Sequence, residues 1–283
     1  MTNNQSNEEQ NQRYNEPELR RDFFLLFLVP TVVLTIIYLH PQSEQILEYK
    51  ARNPTILSIL GSNLAHRTNG HIIGNLMGYW LLGGTAYLLL READSTRIYR
   101  YAFVAYLLVL PFFASETILF MFADRPEIVA KYESVGFSLT VGAITGLLAV
   151  AIAKYYVEII DDGFPWIPSL GLFVLGFSLA FYNLNAVSNT TLFFTVIGLA
   201  ILLYMAYRLR NSFETYANQR IVRLVGAIAV FVFGLLSLFP ASAPTGIYAH
   251  MAGYVWGYFL PLGGIFVTTV YQVVHARLMS SPS

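Results

Sequence analysis

The chain of 283 residues has no cysteine, and only 12% of it is charged. The first absence excludes disulfides and a thiolate nucleophile. The second excludes an ordinary soluble domain, in which about 25% of residues are charged. Basic and acidic residues balance at 17 each, so nothing in the charge points to nucleic acid. No His-Glu-x-x-His sequence occurs, and His66 and His71 are five apart, a poor fit to a metal site. A Gly-x-Gly-Asp sequence is missing as well, and the Asp161-Asp162 pair falls in a loop, which disfavours a membrane-embedded aspartyl site.

What the chain has instead is apolar length. Hydrophobic residues make up 55% and fall into eight blocks, at roughly 23–39, 71–90, 101–123, 135–157, 164–182, 190–207, 221–239 and 246–271. Each is close to the ~20 residues that cross a bilayer as a helix. No alternation of the barrel-strand kind is present, and in lipid the remaining way to satisfy every backbone group is helical. The expected class is therefore an all-α multi-pass membrane protein with about eight transmembrane helices. Residues 1–22, rich in Asn, Gln and Glu, read as a disordered cytoplasmic tail, 23–275 as one membrane domain and 276–283 as a short cytoplasmic tail.

Lys and Arg set the orientation. With the amino terminus inside, Arg13, Arg20, Arg21, Arg91, Arg97, Arg100, Lys154, Arg208, Arg210, Arg220, Arg223 and Arg277 are internal. Only Lys50, Arg52, Arg67, Arg125 and Lys131 are external. Both termini are then cytoplasmic, in a cell membrane. The second, fourth and eighth segments all run inward, and each opens with polar residues: His71 and Asn75, Ser138, and His250. These groups share a depth near the outer face.

Ser138, Gly142 and Gly146 are spaced i, i+4, i+8 behind Gly136, and His250, Gly253 and Gly257 are spaced i, i+3, i+7. Small residues at such spacing let two membrane helices approach closely. Close approach would allow Ser138 to serve as nucleophile and His250 as its base, a dyad, since no carboxylate lies near His250 in sequence. His71 and Asn75, on one helical face, would donate to an oxyanion together with the Ser138 backbone N–H. His66, just ahead of that helix, reads as serving structure as readily as chemistry. Glu116 stands out as a carboxylate inside an apolar segment, and Pro30 and Pro111 as kinks.

Taken together, His66-x4-His71-x3-Asn75-Leu76 with Gly83-Gly84, then Gly136-Phe137-Ser138, then Ala249-His250-x2-Gly253-x3-Gly257, resemble the rhomboid intramembrane serine proteases, in particular archaeal and bacterial members. The resemblance implies a six-helix core, here with about two further helices, and a Ser138–His250 dyad that cleaves transmembrane protein substrates through an acyl-enzyme. It implies His71 and Asn75 at the oxyanion positions and no metal or organic cofactor. Besides the substrate the only partner would be the lipid bilayer. Leu139 stands where members usually have glycine, and Gly142 where many have an aromatic residue. Three apolar segments separate serine and histidine where the core has one. Two other readings are a catalytically inactive relative that binds transmembrane clients and a multi-pass transporter, the latter opposed by the lack of an internal repeat and by polar groups gathered at one end.

Overall fold

The computed structural model describes residues 16–160, 166–183, 189–212, 218–239 and 244–279. Among the described residues each of the eight apolar segments is mostly helical, the third being divided between two helices. We number the helices α1 (Glu16–Leu39), α2 (Ser43–Leu47), α3 (Ile56–Gly61), α4 (Asn69–Glu92), α5 (Thr96–Leu108), α6 (Leu110–Met121), α7 (Pro126–Val129), α8 (Ser138–Ile160), α9 (Trp166–Asn183), α10 (Asn189–Ser212), α11 (Asn218–Leu238) and α12 (Pro244–Met279). Among the described residues, five helices are long and apolar enough to cross a membrane, or six if the bent pair α5–α6 is one span. The chain is an all-α membrane protein. Among the described residues its one departure is a two-residue antiparallel ladder between β1 (Tyr49–Lys50) and β2 (Glu133–Ser134).

Two helix irregularities lie beside prolines, and a further π-helical stretch at Tyr79–Gly83 in α4 has none nearby. Pro30 has no N–H to complete the helical ladder, and α1 widens into a π-helical stretch at Phe24–Leu28 just before it. Pro111 lies in the first turn of α6, directly after the break that bends α5 from α6 by 56°. The expected kink occurs at Pro111, whereas at Pro30 the helix widens and runs on as one span.

The first helix begins earlier than its apolar run. Residues 16–22, expected as part of a loose tail, form its first turns, while 1–15 lie outside the described residues. The reason is electrostatic. Asp22 is buried and accepts from Arg100 on α5 at 3.0 Å and from the Tyr87 hydroxyl on α4 at 2.8 Å, and Glu18 also pairs with Arg100. A buried carboxylate is tolerable only when paired and hydrogen-bonded in this way. The cluster pins α1 to α4 and α5.

At the centre stands α8, flanked by α4, α9, α11 and α12. Its partnership with α12 is intimate because glycines face each other. A Cβ on Gly257 would lie 2.2 Å from the Ala143 Cα, and one on Gly253 would lie 2.3 Å from the Leu139 carbonyl oxygen. From the other side, a Cβ on Gly146 would lie 2.4 Å from the Tyr254 oxygen. No side chain fits those gaps, so both expected stripes are packing surfaces for one another. Polar rungs tie α12 to its other neighbours, α5, α6 and α9. The Tyr106 hydroxyl donates to the Gly257 carbonyl, Trp256 Nε1 to Thr117 Oγ1 at 2.8 Å, and Tyr254 to the Leu172 and Phe173 carbonyls of α9. Bonds of this kind inside membrane bundles contribute on average about 0.6 kcal/mol each, so close packing dominates.

Candidate active site

The end of α4 that faces the site is set by a cap. Thr68 stands at the N-cap in extended geometry, and its hydroxyl accepts from the His71 N–H at 3.2 Å. That starts the helix so that His71 and Asn75 follow one turn apart on one face. The loops before it are tied down by Arg67, which reaches Glu44 at 2.9 Å, Glu48, and Glu133 at 3.6 Å. Together with the β1–β2 ladder, this holds the 40–68 loops against the approach to α8.

The approach to Ser138 is a tight turn rather than helix. Gly136, expected among the helix-packing glycines, lies outside α8 with φ +119°, a conformation that favours glycine. A Cβ there would also fall 2.4 Å from the His71 ring, so the position excludes other residues twice over. The Gly136 N–H donates to the Ser62 carbonyl at 2.8 Å, which fixes the turn. Ser138 then opens α8 with its side chain half-buried.

His250 arrives from α12. Its ring Nδ1 faces the Leu238 carbonyl at the end of α11, and a carbonyl only accepts, so in the neutral ring Nδ1 carries the proton and Nε2 the lone pair. This answers what orients the imidazole in the absence of a carboxylate. A Cβ on Gly142 would lie 2.7 Å from the His250 carbonyl oxygen, leaving no room for a larger side chain.

A cavity of about 760 Å³ is lined by His71, Asn75, Ser138, Leu238 and His250, together with Gly70, Gly74 and Trp80 of α4 and Phe233 of α11. The four groups proposed for chemistry come from three helices far apart in sequence and share this one space. No hydrogen bond joins Ser138 to His250 among the described residues. The packing glycines Gly142, Gly146, Gly253 and Gly257 sit behind the pair and set how closely α8 and α12 approach.

His66 is the residue whose place sequence reading underrated. It is buried, its Nδ1 meets the Leu64 carbonyl at 3.2 Å, and its Nε2 meets Asn75 Nδ2 at 3.0 Å and the Phe137 backbone N–H at 3.3 Å. Its ring lies 5.2 Å from that of His71. Burial, reinforced by His71, pushes its pKa down to about 4, so it is neutral at physiological pH. Glu116, by contrast, is exposed on α6 and has no ion-pair partner among the described residues. No cluster of three or more metal-ligating side chains occurs among those residues either.

Comparisons of the chain with known protein families, with curated proteins and with solved structures found no match.

Proposed function

We propose that this chain is an intramembrane serine endopeptidase of the rhomboid kind, cleaving transmembrane protein substrates in or near their membrane segments. The observation that carries the reading is the single cavity shared by Ser138, His250, His71 and Asn75. In the proposed reaction Ser138 Oγ attacks the peptide carbonyl while its proton passes to His250 Nε2, and the tetrahedral oxyanion is met by His71, Asn75 and the Ser138 backbone N–H. Collapse expels the amine, which takes the proton from His250, and leaves an acyl-serine. Water, deprotonated by the same Nε2, then releases the acid and restores the hydroxyl. The Leu238 carbonyl plays the orienting part that a carboxylate plays in a triad.

In this reading α1, α4, the α5–α6 pair, α8, α11 and α12 are the six-helix core, and α9 and α10 are the two additional spans, eight in all. Both termini are cytoplasmic in a cell membrane, and the cavity opens to the outer face. No cofactor is required. A second reading, a client-binding relative without activity, draws on the absence of a Ser138–His250 hydrogen bond. Catalytic hydrogen bonds are often formed only with substrate bound, so the hydrolase remains the better conclusion. The test is labelling of the detergent-solubilised protein by a fluorophosphonate probe. Labelling lost in both Ser138→Ala and His250→Ala supports the enzyme; a folded wild-type chain that never labels, beside a labelled active serine hydrolase, supports the client binder.

A further inference from the structure

The donor end of the cavity has a hidden support. Asn75 is aimed by a partner outside the cavity lining, and the same partner grips the turn that delivers Ser138. We propose that His66 is a positioning residue: as a neutral acceptor it fixes both the Asn75 carboxamide and the Phe137 N–H, and so sets the oxyanion donors relative to Ser138. The inference rests on the hydrolase reading for its kinetic consequence, though not for its geometry.

Three contacts assign the roles of the neutral ring. Leu64 O is only an acceptor, so the proton sits on Nδ1. Nε2 is then a lone pair, and both groups facing it are donors: Phe137 N–H at 3.3 Å and Asn75 at 3.0 Å. The carboxamide must therefore present its NH2 to His66, which fixes its plane and leaves its second N–H free of any acceptor among the described residues. Two donors share one lone pair, with the shorter contact to Asn75. Protonation of Nε2 would turn that acceptor into a third donor, and burial together with the neighbouring His71 ring opposes it. Phe137 immediately precedes Ser138, and Gly136 before it touches the His71 ring, so the imidazole couples the α4 donors to the nucleophile's own backbone.

The experiment uses the full chain in detergent micelles. With only five histidines, the ¹⁵N spectrum of histidine-labelled protein is assigned by single substitutions. The expected signature for His66 is an unprotonated Nε2 beside a protonated Nδ1, with an Nε2 resonance that moves in Asn75→Ala. A protonated Nε2 at neutral pH, or a resonance indifferent to Asn75→Ala, overturns the assignment whatever the activity. Kinetics supply the second arm. His66→Leu should slow fluorophosphonate labelling at least tenfold. His66→Gln, which can offer its amide oxygen in place of Nε2, should recover most of that rate, and His66→Leu should cost little more once Asn75 is already alanine. Equal loss in the leucine and glutamine variants, with unchanged melting temperature, or losses that multiply with Asn75→Ala, would show a merely structural histidine. A chain that carries the signature yet never labels at Ser138 overturns the hydrolase reading and leaves the His66 contact standing.

Discussion

Helices α8 and α10 are nearly equal in length, 23 and 24 residues, and both are apolar enough to cross a membrane, yet 94% of the α8 window is buried and only 11% of the α10 window. The more hydrophobic of the two windows is the exposed one. In water that would be perverse. In lipid it is expected, because hydrocarbon is as good a neighbour for leucine as another helix is, and burial goes instead to the helix that others can approach closely. Gly142, Ala143 and Gly146 make α8 such a helix, whereas α10 turns Leu192, Phe193, Val196 and Leu203 outward. The proposed nucleophile, Ser138, heads the helix whose backbone others approach most closely.

That contrast can be broken in order of severity. Ser138→Ala and His250→Ala should each remove all probe labelling, and the double variant should be no worse than either, because the two act as one unit; a measurable remainder in one single variant would separate them. Asn75→Ala should slow the reaction by about 10²–10³ if it is one oxyanion donor among several, and an unchanged rate would take it out of the site. Gly257→Ala forces a methyl into the α8–α12 contact and should cost about 1–3 kcal/mol of stability, read as a lower melting temperature.

Smaller still is a pH effect at His66. Its pKa falls from 6.5 in the unfolded chain to about 4 when folded, so the unfolded state binds the extra proton between those values. Stability is fully present above about 6.5 and declines as pH drops toward 4. Melting temperatures measured at pH 7 and pH 5 should differ less in His66→Gln than in wild type. Last, Leu203→Ala on the lipid face of α10 should change stability by no more than about 0.5 kcal/mol. A large loss there would mean that α10 is covered by something other than lipid.

Much of this architecture is legible in the chain because it depends on length and spacing. Among the described residues the eight apolar blocks fall largely on helices, the third on two, and the stripes at Gly142/Gly146 and Gly253/Gly257 meet each other as their spacing suggests. What reading along the chain missed shares one physical character. The Leu238 carbonyl that orients His250 is a backbone group, and no residue type announces a carbonyl left over at a helix end. Residues 16–22 looked like tail because their partner, Arg100, is remote in sequence. Gly136 looked like one more packing glycine until its positive φ and the nearby His71 ring gave it a different task.

The sequence by itself determined that the chain enters a membrane, where its helices run and which residues are small enough to let them touch, since each of these follows from local composition and helical period. Only the tertiary structure decided that His71, Asn75, Ser138 and His250 share a cavity, and which lone pairs and N–H groups remain for chemistry. Hydrogen bonds are short and directional, so their partners are set by where separate helices end in space.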